Sequence, residues 1–599
     1  MQKYKSRKDV PNKYKWDLTD FFKSDQEFES TYQKCKKDIA KIKNYTGCTK
    51  DANKLYEFLK YDTETESITE DLYAYAYLIN DEELGISKNM SRKSKTEDLM
   101  NEYFLNVSFF NPELLELTKE EYNKLFKDNK KLLEFKPTLD HIYRNKDHIL
   151  SEREEQIVTE LCSAMDHFDD MSSTMLNSEH NYGSVTINGE KEQITPTNIR
   201  FLMKNEDQTI RKEIRSKYNE VLGQYGATSA SLLNSYVKGN IANCKIHHYD
   251  SAWNAKLFSG NMPNEVFDSL VSTVEKNTDV LQKYYRLFKK ELGLKELHQY
   301  DLNLELAKSN KEYSIEEAQE LTLNAVKPLG EEYLSHFKKI FDNHYIDYAQ
   351  YPKKCSGGYS FSTMRQDSRI LMSYNYDLDS VSTMIHEGGH NVHHQLVSEN
   401  NEIQNRYVPS IMAEVASLTN ECLLSNYLAK NGKTLTEKKA GIANILEVII
   451  SNLFGAVREG KIEQDFYNYV ENGNSITKDY MNDLTIKSLK KYYGKEVILD
   501  EYSKYSWMRR SHYYMNFYLY SYAICISVAS YIANEIIKGN KEILDKYIKY
   551  LSTGYDVWAI DAFKILDVDL TKEDVYKSAI EYFDSLIEEY KKLTEEGEK

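Results

Sequence analysis

Apolar side chains recur every three or four residues along most of this chain, with charged side chains at many of the positions between them. This spacing places the apolar residues on one face of an α-helix. Residues 16–177 repeat the pattern, for example at residues 64–84 and 151–168, and short polar joints separate the repeats. We therefore predict a predominantly α-helical protein.

The helical period is first interrupted at residues 182–194. β-favouring residues flank Asn188-Gly189, a pair typical of a two-residue hairpin turn. A new helix pattern begins shortly afterwards. We predict a β-hairpin here, at the end of an N-terminal helical domain at residues 1–200, followed by a second domain at residues 201–599.

The second interruption lies at residues 351–376. Gly357 and Gly358 allow a close backbone approach, and the alternating Tyr-Ser-Phe-Ser that follows them is typical of an edge strand. One interpretation is a strand that pairs with the backbone of an extended peptide. The other is an ordinary hairpin corner.

Composition narrows the classes of function. With only 8 prolines and 23 glycines among 599 residues, and 29% charged residues, the chain favours long solvated helices. A net charge of −16 argues against a nucleic-acid partner, because binding to phosphates needs clustered Lys and Arg. Residues 517–533 carry no charge, but their serines and tyrosines indicate a buried helix rather than a membrane span, so no membrane partner is expected.

The cysteines and the N-terminus bear on the compartment. The number of cysteines is 7, which is odd, and the sequence contains no CxxC pair. The charged N-terminus is not followed by an apolar segment of the kind found in secretory signals. These features predict reduced thiols and a cytoplasmic protein.

Residues 380–390 read Ser-Val-Ser-Thr-Met-Ile-His-Glu-Gly-Gly-His and place the motif HExxH inside a predicted helix. His386 and His390 lie one turn apart on the same face, with roughly 6 Å between their Cβ atoms, which suits one metal ion. Glu387 lies about 100° further round, where it can reach a water on that metal. Because short motifs recur by chance, a surface helix with two histidines is the alternative.

A catalytic zinc site needs a third protein ligand and one open position for water. The motif HExxHxxGxxH would require histidine at position 396, which is Leu396. Residues 406–421 instead have helical periodicity, with Glu414 and Glu421 on one face. We predict that Glu414 is the third ligand and that Glu421 hydrogen-bonds a ligand histidine. For Glu421 the alternative is a solvated helix acid.

These motifs resemble a known family. The string HEGGH, the string ExxSxxxE that begins at Glu414, and the segments at residues 10–20 and 351–360 resemble the oligoendopeptidase F branch of the thimet-oligopeptidase-like zinc peptidases. The resemblance runs nearly end to end. It implies one zinc ion per chain, bound by His386, His390 and Glu414, with Glu387 as the catalytic base.

The resemblance also implies the surroundings of the zinc. The expected fold is a large helical bowl or channel, with a small β-sheet near the zinc-binding HExxH helix. Substrate contacts are expected at Gly357, Gly358 and Tyr359. In the late region His512 and Tyr522, with Tyr518 as the alternative tyrosine, match residues that contact the carbonyl oxygen under attack.

The expected activity is zinc-dependent cleavage of internal bonds in short unstructured oligopeptides, with residues 201–599 as the catalytic domain. Glu387 would take a proton from the attacking water. A carboxypeptidase on a similar scaffold is one alternative, for which Arg509 and Arg510 could anchor the substrate terminus. A catalytically inactive peptide-binding protein is another, although it would predict a damaged motif.

Overall fold

A computed structural model describes residues 4–165 and 167–597 of the chain, and most of them lie in α-helices, as the sequence predicts. The first helices are α1 Asp25–Lys41, α2 Ala52–Glu82, α3 Ser87–Val107, α4 Phe110–Glu116, α5 Lys119–Asp128, α6 Lys136–Tyr143, α7 Glu152–Met165, α8 Phe168–Asn177, α9 Ile199–Leu202, α10 Gln208–Gln224, α11 Gly226–Ile246, α12 Ala252–Ser259, α13 Asn264–Lys276, α14 Thr278–Glu291, α15 Ile315–Val326 and α16 Gly330–Asp342. The later helices are α17 Leu378–Asn400, α18 Ser410–Asn431, α19 Leu435–Ile449, α20 Ala456–Glu471, α21 Lys478–Tyr493, α22 Leu519–Ile537, α23 Lys541–Leu551, α24 Ala559–Ile565 and α25 Asp574–Gly597.

Short strands form two small sheets. The strands are β1 Ser184–Ile187, β2 Glu190–Gln193, β3 Ile346–Ala349, β4 Tyr359–Phe361 and β5 Arg369–Tyr374. The predicted hairpin is confirmed: β1 pairs antiparallel with β2, and Asn188 and Gly189 between them have φ of 53° and 85°. Glycine and asparagine are the residues that adopt this left-handed backbone most readily.

The other sheet has the strand order β3-β5-β4. β5 is parallel to β3, with Ile346 opposite Ile370, and antiparallel to β4, with Tyr359 opposite Leu371. The central strand β5 is almost wholly buried. β4 therefore lies at an edge of the sheet, as the alternation after Gly358 predicts.

Contacts divide the chain into two compact units, each built from separated segments. The first unit contains the residues up to Asp147, Asn310–Tyr427 and Ile532–Asp567, and the second contains His148–Ser309, Leu428–Tyr531 and the residues from Val568 onward. The predicted domain boundary between residues 200 and 201 stays a prediction.

In the first unit, helices α1 to α6 contribute most of an aromatic and aliphatic core that includes Phe28, Phe58 and Leu114. Leu371 of β5 belongs to the same core, and Tyr359 of β4 packs against it. Burial of these side chains attaches the three-stranded sheet to the N-terminal helices.

The segment that leads into β4 is held by Lys354. Its buried ammonium group donates to the carbonyl oxygens of Asp347 and Ala349 at 2.9 Å and of Met372 at 2.7 Å, and lies 2.6 Å from the Asp347 carboxylate. Charge-assisted bonds of this kind are strong when they are shielded from water. They fix the course of the chain just before Gly357 and Gly358.

In the second unit, α25 packs against α13, α14 and α19, and α11 packs against α12, α20 and α21. The continuous helical segment Leu435–Glu471 has a window of mean hydropathy 1.7, which by length and composition could cross a membrane. Of that window 61% is buried in the protein, as in the core helix of a water-soluble protein. The uncharged segment predicted to be a buried helix is α22, and Ala523 to Ala533 along it are mostly buried.

Candidate functional site

Helix α17 carries the motif HExxH. Its N-terminus is capped by Asp377, whose side chain accepts from the Ser380 backbone N–H at 2.9 Å. One helical turn separates His386 from His390, and their ring centroids are 4.9 Å apart at 81°. Both imidazoles therefore reach the same small volume, as the spacing predicts.

Helix α18 brings Glu414 to these histidines. One of its carboxylate oxygens lies 3.4 Å from Nε2 of His386 and 3.8 Å from Nε2 of His390. The ligand atoms of all three side chains lie within 4.8 Å of one another. Two imidazoles and one carboxylate are a donor set that catalytic zinc sites use.

The glycines of HEGGH let the neighbouring elements approach α17. A Cβ at Gly389 would lie 2.8 Å from Cα of Ser417 and 2.9 Å from the carbonyl oxygen of Ala416, both on α18. A Cβ at Gly388 would lie 2.4 Å from the Phe337 ring. The sequence analysis did not assign a role to these glycines, although two adjacent glycines inside a helix are a signal of close packing.

Glu421 lies about two helical turns beyond Glu414 on the same face of α18 and contacts the first histidine. Its carboxylate is 2.6 Å from Nδ1 of His386, and its other oxygen accepts from the Ser382 hydroxyl at 3.1 Å. Because Nδ1 faces Glu421, Nε2 is the nitrogen of His386 that faces Glu414. The sequence analysis did not identify Ser382, whose contact depends on how the two helices pack.

The charges around His386 are strongly coupled. Burial acts to lower the pKa of His386, but its hydrogen bonds to Glu414 and Glu421 outweigh burial, and the pKa lies well above its ordinary value. Burial acts to raise the pKa of Glu414, but the hydrogen bond from His386 and the charges of both histidines lower it to about 2. Burial and the charge of His386 lower the pKa of His390 to about 4. The site thus stabilises one positive charge between two carboxylates.

Glu387 lies between the two histidines in the sequence of α17 and is subject to the charges of the same cluster. Its side chain belongs to the buried part of α17, and burial raises its pKa to about 7, helped by the negative charges of Glu414 and Glu421. A carboxylate with a pKa near neutrality can both accept and return a proton. This is the property required of a general base.

The edge strand β4 passes beside Glu387. A Cβ at Gly358 would lie 2.8 Å from Cγ2 of Thr383 and 3.7 Å from the Glu387 carboxylate, so a side chain here would clash with α17. Gly357 has a φ of 99°, a backbone conformation that favours glycine. The hydroxyl of Tyr359 donates to Asp81 at 3.0 Å, so this side chain is held against α2.

The late residues His512, Tyr518 and Tyr522 lie in the second unit, where the structure brings them together. The ring centroid of Tyr522 is 6.0 Å from that of His512 and 5.2 Å from that of Tyr518. All three side chains are partly exposed. Burial, followed by the charge of Arg510, lowers the pKa of His512, which favours the neutral imidazole.

Comparison with known proteins gives the family. The sequence profile of Peptidase family M3 matches residues 201–582, and that of Oligopeptidase F matches residues 113–182. Oligopeptidase PepF of Bacillus subtilis (strain 168) is 28% identical over 98% of this chain and 88% of its own length. Oligoendopeptidase F (plasmid) of Lactococcus lactis subsp. cremoris is 28% identical over 99% of both chains.

Solved structures share the fold of this chain. The structure of oligoendopeptidase-F from Enterococcus faecium superposes with a TM-score of 0.71 at 26% identity, covering 95% of this chain and all of that one. A structure from Chlamydophila abortus shares the fold with a TM-score of 0.90 at 24% identity, covering 98% of this chain and 100% of that one. The chain therefore belongs to peptidase family M3, in its oligoendopeptidase F branch.

Proposed function

We propose that this peptidase is a cytoplasmic, zinc-dependent oligoendopeptidase that hydrolyses internal bonds of short unstructured peptides. The observation that carries the proposal is the convergence of His386, His390 and Glu414 within 4.8 Å, with Glu387 adjacent on the same helix. The odd number of cysteines, none of which forms a disulfide in the described structure, supports a cytoplasmic compartment in this proposal.

The donor set fits zinc. Nε2 of His386, Nε2 of His390 and the Glu414 carboxylate would hold the ion and leave one position for water. When bound, zinc polarises the scissile carbonyl and makes water more acidic. Glu421 keeps the His386 ring in the tautomer and orientation that ligation requires.

Glu387 moves the protons of the reaction. It takes a proton from water as the oxygen attacks the carbonyl carbon, and it returns that proton to the amine nitrogen as the peptide C–N bond breaks. Its buried position keeps the pKa high enough for the second step. The family resemblance assigns donation to the carbonyl oxygen to His512 and to Tyr522 or Tyr518.

Substrate would bind along β4. This strand pairs with β5 on one side, so its other edge can offer backbone N–H and C=O groups to an extended peptide. At Gly357, Gly358 and Tyr359 such contacts use only the backbone, and they are independent of the peptide sequence. This arrangement suits a peptidase with broad substrate choice.

The first experiment measures the metal. Purified protein should contain about one zinc per chain, a chelator should abolish cleavage of a quenched peptide, and added zinc should restore it. Glu414→Ala is the matched variant, since it removes one ligand and should lower the zinc content. Full activity in protein shown to be metal-free would contradict the proposal.

The second experiment identifies the products of one defined peptide by mass spectrometry. Internal cuts are expected. Trimming of single C-terminal residues would instead indicate a carboxypeptidase, and no cleavage would indicate a peptide-binding protein. The carboxypeptidase alternative has less support because Arg509 already donates to Asn177 at 3.0 Å and Arg510 to Glu459 at 3.3 Å.

A further inference from the structure

Residues 510–522 of the second unit, here called the donor segment, carry His512, Tyr518 and Tyr522. A short 3-10 helix, Ser511–Tyr514, is followed by a turn that leads into α22. Asn516 and Phe517 in this turn have φ of 45° and 57°. Asparagine adopts this left-handed backbone readily, but a phenylalanine in it is strained. Such a turn persists only where its surroundings hold it.

The side chain of Asn516 is one of the contacts that hold the turn. Its carbonyl oxygen accepts from the Tyr236 hydroxyl at 3.1 Å, from the Asn240 amide at 2.8 Å and from the Tyr467 hydroxyl at 3.0 Å. The donors come from α11 and α20. Three converging donors restrict Asn516 to one orientation, although the residue itself lies at the surface.

Phe517 is held through its backbone and its ring. Its backbone N–H donates to the carboxylate of Glu463 at 2.8 Å, and Glu463 is completely buried in α20. The ring packs 4.9 Å from Trp253 and 4.5 Å from Tyr467. Because the N–H of Phe517 is buried, losing its acceptor at Glu463 would leave a buried donor unpaired.

Helix α20 also holds the beginning of the donor segment. One turn before Glu463, the Glu459 carboxylate accepts from the Tyr513 hydroxyl and from Arg510. Glu459 and Glu463 are four residues apart and therefore lie on one face of α20. Glu459 therefore holds the donor segment before its left-handed turn, and Glu463 holds it within the turn.

Burial of an ionisable side chain costs free energy, so a role for Glu463 is expected to compensate for its burial. One oxygen accepts from Phe517, and the other has no hydrogen-bond partner in the described structure. Burial raises the pKa of Glu463 to about 8, with the Phe517 N–H and Lys256 acting in the opposite direction. At neutral pH the group is largely a neutral acid whose carbonyl oxygen is the acceptor, and glutamine reproduces that acceptor.

We infer that Glu463 and Asn516 are positioning residues for peptide hydrolysis: they hold the left-handed turn so that His512, Tyr518 and Tyr522 keep one arrangement in which they donate to the carbonyl oxygen. The inference rests on the proposed function. Loss of either contact lets the turn relax toward ordinary backbone angles and shifts the donors. Because the donors act on charge that develops during the reaction, kcat falls and KM changes little.

The test compares Glu463→Ala and Glu463→Gln with the wild-type enzyme. Glu463→Ala should lower kcat on a quenched peptide by about 10²-fold, the loss that a displacement of roughly 1 Å can cause, with KM nearly unchanged. Glu463→Gln should restore kcat to within a few-fold of wild type, because it keeps the acceptor for Phe517 N–H. Zinc content should be the same in all three proteins.

Glu291→Ala is the matched control. Glu291 is a mostly buried carboxylate in the same unit, but its partners are Lys439 at 2.7 Å and Thr594 at 3.4 Å, away from the donor segment. Its substitution should lower the melting temperature without lowering kcat. Equal losses of kcat in Glu291→Ala and Glu463→Ala, wild-type kcat in Glu463→Ala, or failure of Glu463→Gln to rescue would each overturn the inference.

Asn516→Gly tests the second contact that holds the turn, the side chain of Asn516. Glycine accepts the left-handed φ without strain but removes the oxygen that binds three donors. If those donors position the segment, kcat falls while the melting temperature changes little. Wild-type kcat in Asn516→Gly would remove Asn516 from the inference.

Hydrogen exchange separates this inference from the proposed function. Amides of the donor segment should exchange about tenfold faster or more in Glu463→Ala than in wild type, whatever reaction the enzyme catalyses. If the wild-type enzyme binds no zinc and cleaves no peptide, the proposed function is wrong. If the exchange rates in Glu463→Ala equal those of wild type, Glu463 does not hold the turn, and this second result is independent of the first.

Discussion

At the scale of single residues, the imidazole of His386 lies between two carboxylates. Glu421 binds Nδ1 at 2.6 Å, and Glu414 lies 3.4 Å from Nε2. Together they raise the pKa of His386 well above its ordinary value, although burial opposes this. A metal ligand must offer a lone pair, so the extra proton that these two carboxylates favour on His386 has to leave when a metal binds.

Zinc binding should consequently release protons at pH 7. We expect at least about one proton per zinc, because ligation requires neutral His386, and we expect zinc affinity to fall as the pH is lowered. Calorimetric titration in two buffers with different ionisation enthalpies measures the number released. Identical apparent enthalpies in the two buffers would mean that no proton leaves and that His386 is already neutral.

Substitutions of Glu387 and of Glu414 should differ in their effects. Glu387→Gln keeps the ligand set but loses the base, so zinc content is retained and kcat falls by about 10²–10⁴-fold. Glu414→Ala loses a ligand, so its zinc content falls together with its activity. If both variants retained zinc equally and only Glu414→Ala were inactive, the assigned roles of the two residues would have to be exchanged.

At the scale of elements, the site depends on how closely α17 and α18 pack. A Cβ added at Gly389 would lie only 2.8–2.9 Å from backbone atoms of Ala416 and Ser417 on α18. This approach brings Glu414 and Glu421 within reach of the histidines. Backbone atoms cannot move aside as the end of a flexible side chain can.

Gly389→Ala should therefore be more damaging than Gly388→Ala. At Gly389 the new methyl group forces the helices apart, costing about 1–3 kcal/mol of unfolding free energy and weakening zinc binding. At Gly388 it meets the tip of the buried Phe337 side chain on α16, so repacking there leaves the approach of α17 to α18 in place. Denaturant unfolding and zinc affinity measure the two effects. Equal zinc affinity in both variants would show that the interhelical approach does not control the metal site.

At the scale of the whole molecule, many more helices are present than α17 and α18, which carry the residues of the proposed metal site. Helices α1 to α6 and the core that they share with β5 lie in the same unit as the zinc ligands, yet they contribute none of the three. That such helices wall a channel, as the family resemblance implies, stays a prediction. Exclusion of water from such a channel would strengthen every electrostatic contact to the reacting carbonyl.

The enzyme should accordingly cleave unstructured oligopeptides and leave folded proteins intact. A quenched peptide of about ten residues is compared with a stable folded protein that contains the same sequence in its interior, where the chain cannot extend along a strand edge. The control is the same protein in a permanently unfolded variant, which separates the effect of size from that of folding. Comparable cleavage rates for peptide and folded protein would show that the site is open.

The sequence by itself determined the features that depend on local period. It predicted the helical fold, the hairpin at Asn188-Gly189 and the common face of His386 and His390, because a helix or a tight turn follows from the nearest few residues. It also located Glu414 and Glu421 on one face of a second helix. These predictions needed no knowledge of how distant segments pack.

Only the tertiary structure decided which of these side chains meet. His393 and His394 follow the motif on the same helix, but they are buried and do not belong to the ligand cluster. Other contacts also join segments that are far apart in the chain. They are the contact of Glu421 with His386, the close approach of α18 at Gly389 and the contact of Glu463 with Phe517. Helical period fixes which way a side chain points from its own axis, whereas the partner that it finds depends on the packing of every other helix.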